Sequence, residues 1–135
     1  MPNIRSITLA IALVPALSGV AAAENALTAQ EQDFGQSVTV QSVSADQDGW
    51  LVIHAVQDGK PVVPASIGHT YVKAGTTENV AVALTEEAED GALIAMLHVD
   101  DGELGVYEFG PDSTDHDKPV VGESGPLVVK FEAND

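Results

Sequence analysis

The side chains best suited to chemistry in this 135-residue chain are its four histidines, His54, His69, His98 and His116, together with Met96, two positions before His98. His54 lies within Trp50-Leu51-Val52-Ile53-His54-Ala55-Val56, and Met96 and His98 within Ala92-Leu93-Ile94-Ala95-Met96-Leu97-His98-Val99. Alternate residues of a β-strand share one face at a spacing of about 6.6–6.8 Å. Met96, His98 and Asp100 therefore share a face with Ile94, and His54 shares one with Trp50, Val52 and Val56. If the two strands are neighbours, His54, Met96 and His98 converge. Imidazole with thioether is a soft donor set that suits copper, whereas His54, His98 and Asp100 form a harder set suited to Cu(II) or zinc. His69 is a further candidate ligand. The competing reading is structural: a histidine on a half-apolar strand usually donates to a backbone carbonyl, and a methionine usually fills a gap between its neighbours.

Other chemistries find less support. Asp100-Asp101-Gly102-Glu103 and Asp112-Ser113-Thr114-Asp115-His116-Asp117 concentrate carboxylates, but calcium requires six to eight oxygens, usually from acids at alternating positions, and neither stretch sustains that alternation. Both read as solvated acidic loops. Gly122-Glu123-Ser124-Gly125-Pro126 is reminiscent of a serine-protease nucleophile loop, yet the chain is too short for the double barrel that loop serves. Nor does a suitably ordered His and Asp precede it. There is no cysteine, no glycine-rich phosphate cradle and no pair of carboxylates in an evident apolar pocket. The expectation is a protein that is not an enzyme.

The elements that must hold the histidines are strands. From Ser37 onward the hydrophobic period is two. Val38, Val40 and Val43 mark a first strand with a slip near Ser42, and residues 50–56 and 92–99 are apolar on both faces. Further strands are expected over 66–72, 79–84, 106–109 and 127–131, the last with Leu127, Val129 and Phe131 pointing inward. Asp48-Gly49, Asp58-Gly59 and Asp90-Gly91 are turn signals between them. Residues 110–126 read as an acidic loop. About seven short strands in this length predict an all-β fold, a single immunoglobulin-like or cupredoxin-like β-sandwich over residues 37–135. Residues 24–36 lack a clear period and read as a flexible leader.

Ahead of them, Arg5, the apolar run Ile7–Val14 and the small residues Ala21-Ala22-Ala23 follow the order of a secretory signal peptide, so residues 1–23 are expected to be removed. The apolar core is far shorter than the roughly 20 residues of a membrane span. Export to a periplasm or to the outside of the cell follows, and with no disulfide the domain must rely on core packing. After Ala23 only Lys60, Lys73, Lys118 and Lys130 oppose 21 acidic residues. That surface repels phosphate backbones and anionic lipids, which argues against nucleic-acid and membrane partners, and it attracts cations. A metal ion or a protein remains as the partner.

Leu51-Val52-Ile53-His54, Gly68-His69, Ala74-Gly75 with Asn79-Val80, Ala95-Met96-Leu97-His98-Val99-Asp100 and Gly105-Val106-Tyr107-Glu108-Phe109 together resemble a domain of unknown function found in secreted proteins of haloarchaea and bacteria, often from saline habitats. The resemblance spans roughly residues 37–131. It implies a β-sandwich module, alone or appended to larger surface proteins, with no established activity. Haloarchaeal members tend to carry an Asp/Asn-rich, calcium-like loop after the His-x-Asp. Here Asp100 is kept, but Gly102 and Leu104 stand where further oxygen ligands are expected, so calcium is left unassigned. The functional expectation is an exported, non-catalytic, acidic binding or surface module. Its alternative is a periplasmic copper-binding protein using His54, Met96 and His98, with Asp100 or His69 as extra ligands.

Overall fold

The computed structural model describes residues 24–33, 35–86 and 91–134. The expected signal peptide (residues 1–23) and Asp90 of the expected Asp90-Gly91 turn lie outside the described residues. Among those described there is no helix, and the chain forms eleven strands: β1 (Ala26–Thr28), β2 (Gln32–Asp33), β3 (Ser37–Ala45), β4 (Gly49–Gln57), β5 (Lys60–Pro61), β6 (Gly68–Val72), β7 (Gly75–Ala83), β8 (Gly91–Val99), β9 (Val121–Gly122), β10 (Gly125–Pro126) and β11 (Val128–Asn134). They build a β-sandwich. One sheet runs β1-β3-β7; the other runs β2-β11-β8-β4, with β6 and then β5 along the far edge of β4. Strands β9 and β10 form a separate small ribbon.

Alternation explains the layering. Val38, Val40, Val43 and Ala45 of β3 are buried, the step from 40 to 43 being the slip expected near Ser42. They meet Leu51 and Ile53 of β4, Leu93, Ala95 and Leu97 of β8, and Phe131 and Ala133 of β11 in one hydrocarbon core, with Leu127 and Val129 packed against it. Such side chains stabilise by about 1.5–3 kcal/mol each when buried. Asp58 and Gly59 both take positive φ, 54° and 76°, and link Gln57 to its partner Lys60 in a two-residue hairpin turn.

Three expectations are corrected. Residues 24–36 are not a flexible leader: β1 pairs with β3, and β2 pairs in parallel with β11. The stretch lacks a period because its two strands have only three and two residues and join different sheets. Val106–Phe109 is not a strand, since its backbone is held by acidic side chains instead of a neighbouring ladder: the Glu108 N–H donates to an Asp117 carboxylate oxygen at 2.8 Å. Finally, residues 110–126 are not a plain loop, for they contain the β9–β10 ribbon and an isolated bridge from Pro119 to His98.

The central pair, β4 and β8, is buried on both faces. Its register pairs Trp50 with His98, Val52 with Met96 and His54 with Ile94. These six side chains point away from the sandwich core yet are all buried. Their cover is not a third sheet. It consists of the segment 61–67 and the acidic segment 100–120 folded back over the sheet. At the start of β4 the two strands approach closely, for a Cβ on Gly49 would collide with the His98 carbonyl oxygen of β8.

Candidate functional site

His54 and His98 project from the same, outer face of the larger sheet. Because His54 is opposite Ile94 and His98 is opposite Trp50, their backbones are four positions apart along the strands, roughly 13 Å. Their ring centroids nevertheless stand 6.0 Å apart, with planes inclined by 25°. The two side chains therefore lean toward each other over the Val52–Met96 pair, which forms the floor between them. Both histidines are 0% exposed.

Backbone carbonyls set the orientation of each ring. His54 Nδ1 lies 3.0 Å from the Val62 carbonyl oxygen and 2.8 Å from that of Ala65. His98 Nδ1 lies 2.6 Å from the Asp117 carbonyl oxygen. A carbonyl can only accept, so in each neutral ring Nδ1 carries the proton and Nε2 keeps its lone pair. Neither Nε2 has a hydrogen-bond partner, although both are buried. Leaving a buried polar atom unpaired costs on the order of 1–3 kcal/mol, so two such acceptors in one buried layer call for an explanation.

Burial pushes the His98 imidazole down to about 4; the bond to Asp117 opposes this and nearby His54 adds to it. The ring is thus neutral at ordinary pH, the form in which imidazole can ligate.

Aromatic rings close the site. Phe109 meets His98 edge-on at 5.0 Å and Tyr107 does so at 5.9 Å. Burial pushes the Tyr107 phenol up to about 12, with Ser66 opposing. Ser66 stands near that hydroxyl without reaching hydrogen-bonding geometry, so the hydroxyl, like Trp50 Nε1, has no partner. Asp117 anchors the cover. It is 0% exposed, and its carboxylate accepts the N–H groups of Asp101 and Glu108, both at 2.8 Å. Burial raises its pKa, against the pull of those two bonds.

The other expected ligands are not gathered here. Asp100 turns its carboxylate to the Gly105 N–H, at 2.9 Å, and so serves the loop. His69 is exposed on β6, opposite Val52, and stacks on Tyr107 at 4.3 Å. His116 is exposed and lies 3.5 Å from Asp101. Among the described residues no three His, Cys, Asp or Glu side chains come together to hold a metal ion. A four-ligand zinc site or an oxygen-rich calcium site is accordingly not formed from such side chains; what the face brings together is the two imidazoles, with Met96 at the strand position between them. Tyr107, Phe109 and Asp117 were expected in a strand and an acidic loop, with no part in a site. The one available hint was that 50–56 and 92–99 are apolar on both faces, which requires a second cover.

The chain belongs to a family described as "Domain of unknown function (DUF7282)", whose profile matches residues 25–134. No curated protein and no solved structure matches it.

Proposed function

We propose that this member of the family is an exported, non-catalytic β-sandwich module that holds a soft metal ion, copper(I) first, at the buried pair of His54 and His98. One observation carries the reading: two fully buried imidazoles, each with Nδ1 committed to a carbonyl, keep two unpaired Nε2 lone pairs in a buried layer whose register also places Met96 between them. Metal-bound histidine commonly has this arrangement, because a carbonyl on one nitrogen fixes the tautomer and strengthens the other as a donor. Copper(I) is content with two or three ligands and favours imidazole and thioether. The acidic surface concentrates cations around the domain. The rival occupant is a water molecule bonded by the two Nε2 atoms and the Tyr107 hydroxyl.

Export to a periplasm or to the cell exterior is part of the proposal, supported by the order of charge, apolar core and small residues in 1–23. No catalytic role is assigned.

The test is a titration of the purified protein with Cu(I), Cu(II), Zn(II) and Ca(II), followed by thermal unfolding. A ligand that binds only the folded state at 100 times its Kd adds about 2.7 kcal/mol. One equivalent of Cu(I) should raise the Tm, and His98→Ala should abolish the rise while the metal-free protein still folds. A Tm unchanged by all four ions would refute the metal reading and leave a surface module.

A further inference from the structure

Resting on that copper reading, we propose that His69 and Tyr107 form the port of the buried pair: His69 takes the ion from outside, and the Tyr107 ring swings aside to pass it inward.

The two imidazoles are 0% exposed, so an ion has no open path to them, and the cover must part somewhere. The sandwich core closes one side of the central strands. On the other side, the half-buried ring that touches both an exposed histidine and the pair is Tyr107. It stacks on exposed His69 at 4.3 Å with planes inclined by 27°, and it meets buried His98 edge-on at 5.9 Å. A single half-buried ring thus separates an accessible imidazole from a buried one. Trp50 bounds it at 5.5 Å and also meets His69, at 5.6 Å.

The segment carrying Tyr107 is built to move separately from the sheets. Residues 101–109 join no ladder. They are held through the Asp100, Glu108 and Asp117 carboxylates, which accept the N–H groups of Gly105, Glu103 and Glu108. Leu104 and Val106, the aliphatic residues beside Tyr107, are 76% and 43% exposed and anchor little. An open hollow of about 220 Å³ borders the segment at Tyr107, Phe109 and Asp112, so neighbouring structure does not brace it on that side. Few buried apolar contacts together with exposed backbone bonds mark a segment that opens before the core does. The opposite cover, over His54, is tighter: Val62, Ile67 and the His54 ring itself are bonded to strand or loop carbonyls.

His69 has the chemistry for capture. Its imidazole is exposed at the sheet edge and stacked on the ring that covers the pair, where it can meet an ion from solvent.

The experiment follows Cu(I) uptake by stopped-flow quenching of Trp50, the sole tryptophan, using the full chain and a Cu(I) chelate as donor. A competing chelator then measures release. An aromatic contact is worth about 0.5–1.5 kcal/mol, so Tyr107→Ala should speed both uptake and release by about two- to tenfold. His69→Ala should slow uptake at limiting copper by a similar factor. Both variants should still bind one equivalent, and Glu78→Ala, exposed on β7 of the other sheet, should match the parent. Opposite shifts in the two variants separate a port from general loosening, which would move both the same way. Unaltered rates in both variants, or rates that change in the same direction, with one equivalent still bound, overturn the port and leave the copper site standing. Failure of the parent protein to bind copper overturns the site itself, and the port with it.

Discussion

The two faces of the β4–β8 pair are both dry, yet they are made of different chemistry. The inner face places Leu51, Ile53, Leu93, Ala95 and Leu97 against the second sheet. Nothing there needs a partner beyond close contact. The outer face holds Trp50, Val52, His54, Ile94, Met96 and His98 beneath loops, and four polar atoms in and around it have no partner: Trp50 Nε1, His54 Nε2, His98 Nε2 and the Tyr107 hydroxyl. A fold optimised for stability alone would fill such a layer with hydrocarbon, as the inner face does. The inner face reads as the source of stability, and the outer face as a place where stability is given up, in the proposed function for a metal ion.

The largest effect that would separate the faces is a cavity on the inner one. Leu51→Ala should cost about 3–5 kcal/mol by chemical denaturation, since the residue is wholly buried among other core side chains. On the outer face, His98→Leu should change the metal-free stability by only about 1 kcal/mol in either direction, because it removes an unpaired acceptor as well as the bond to Asp117. The same substitution should abolish stabilisation by copper. A loss as large as that of Leu51→Ala would erase the distinction between the faces.

Acid should act next most strongly, and through the outer face. The folded His98 imidazole titrates at about 4 against about 6.5 when unfolded, so the unfolded chain binds its proton first as pH falls. Stability from this group is therefore complete above pH 6.5 and declines between 6.5 and 4, by about 3 kcal/mol in all at 1.36 kcal/mol per unit. The titratable groups facing the ring are His54 and Tyr107, beside the Asp117 carbonyl that its Nδ1 bonds and the apolar ring of Phe109. The raised pKa of the Asp117 carboxylate works in the opposite sense, its cost being relieved as that group takes up a proton. Urea midpoints measured from pH 7 to 4 check the slope, and His98→Leu should flatten it.

Smaller effects sharpen the contrast further. Asp117→Ala frees two N–H groups of the cover and should cost about 1–3 kcal/mol, with faster hydrogen exchange confined to residues 100–110. Met96→Leu nearly conserves volume and should cost less than about 1.5 kcal/mol, yet weaken Cu(I) measurably in a chelator competition.

Sequence periodicity made much of this legible. The long strands and their inward residues follow from alternation, and the shared face of His54, Met96 and His98 follows from the pairing of two strands apolar on both sides. What alternation does not carry is whatever was built without it. Tyr107 and Phe109 sit two apart in an apolar-polar-apolar pattern, Val106 notwithstanding, and so read as a strand. Their backbone is in fact held by distant carboxylates, above all Asp117, whose positive φ of 53° and full burial no local pattern signals. Asp100 and His69 shared the right face but not the right place, since one is occupied by Gly105 and the other stands outside Tyr107. Strands β1 and β2 were missed because two or three residues are too few to display a period.

The side-by-side ends of the fold have a mechanical consequence. Strands β2 and β11 run parallel, with Gln32 beside Ala133 and Asp33 beside Asn134, and the Asn134 side-chain amide donates to Glu31 at 3.2 Å. Tension drawn through both ends of the domain would slide these strands along one another, loading their bonds together instead of peeling them one at a time. Strung within a longer chain, the module would take up force first at the β1–β3 pairing and at this short clasp, ahead of the histidines.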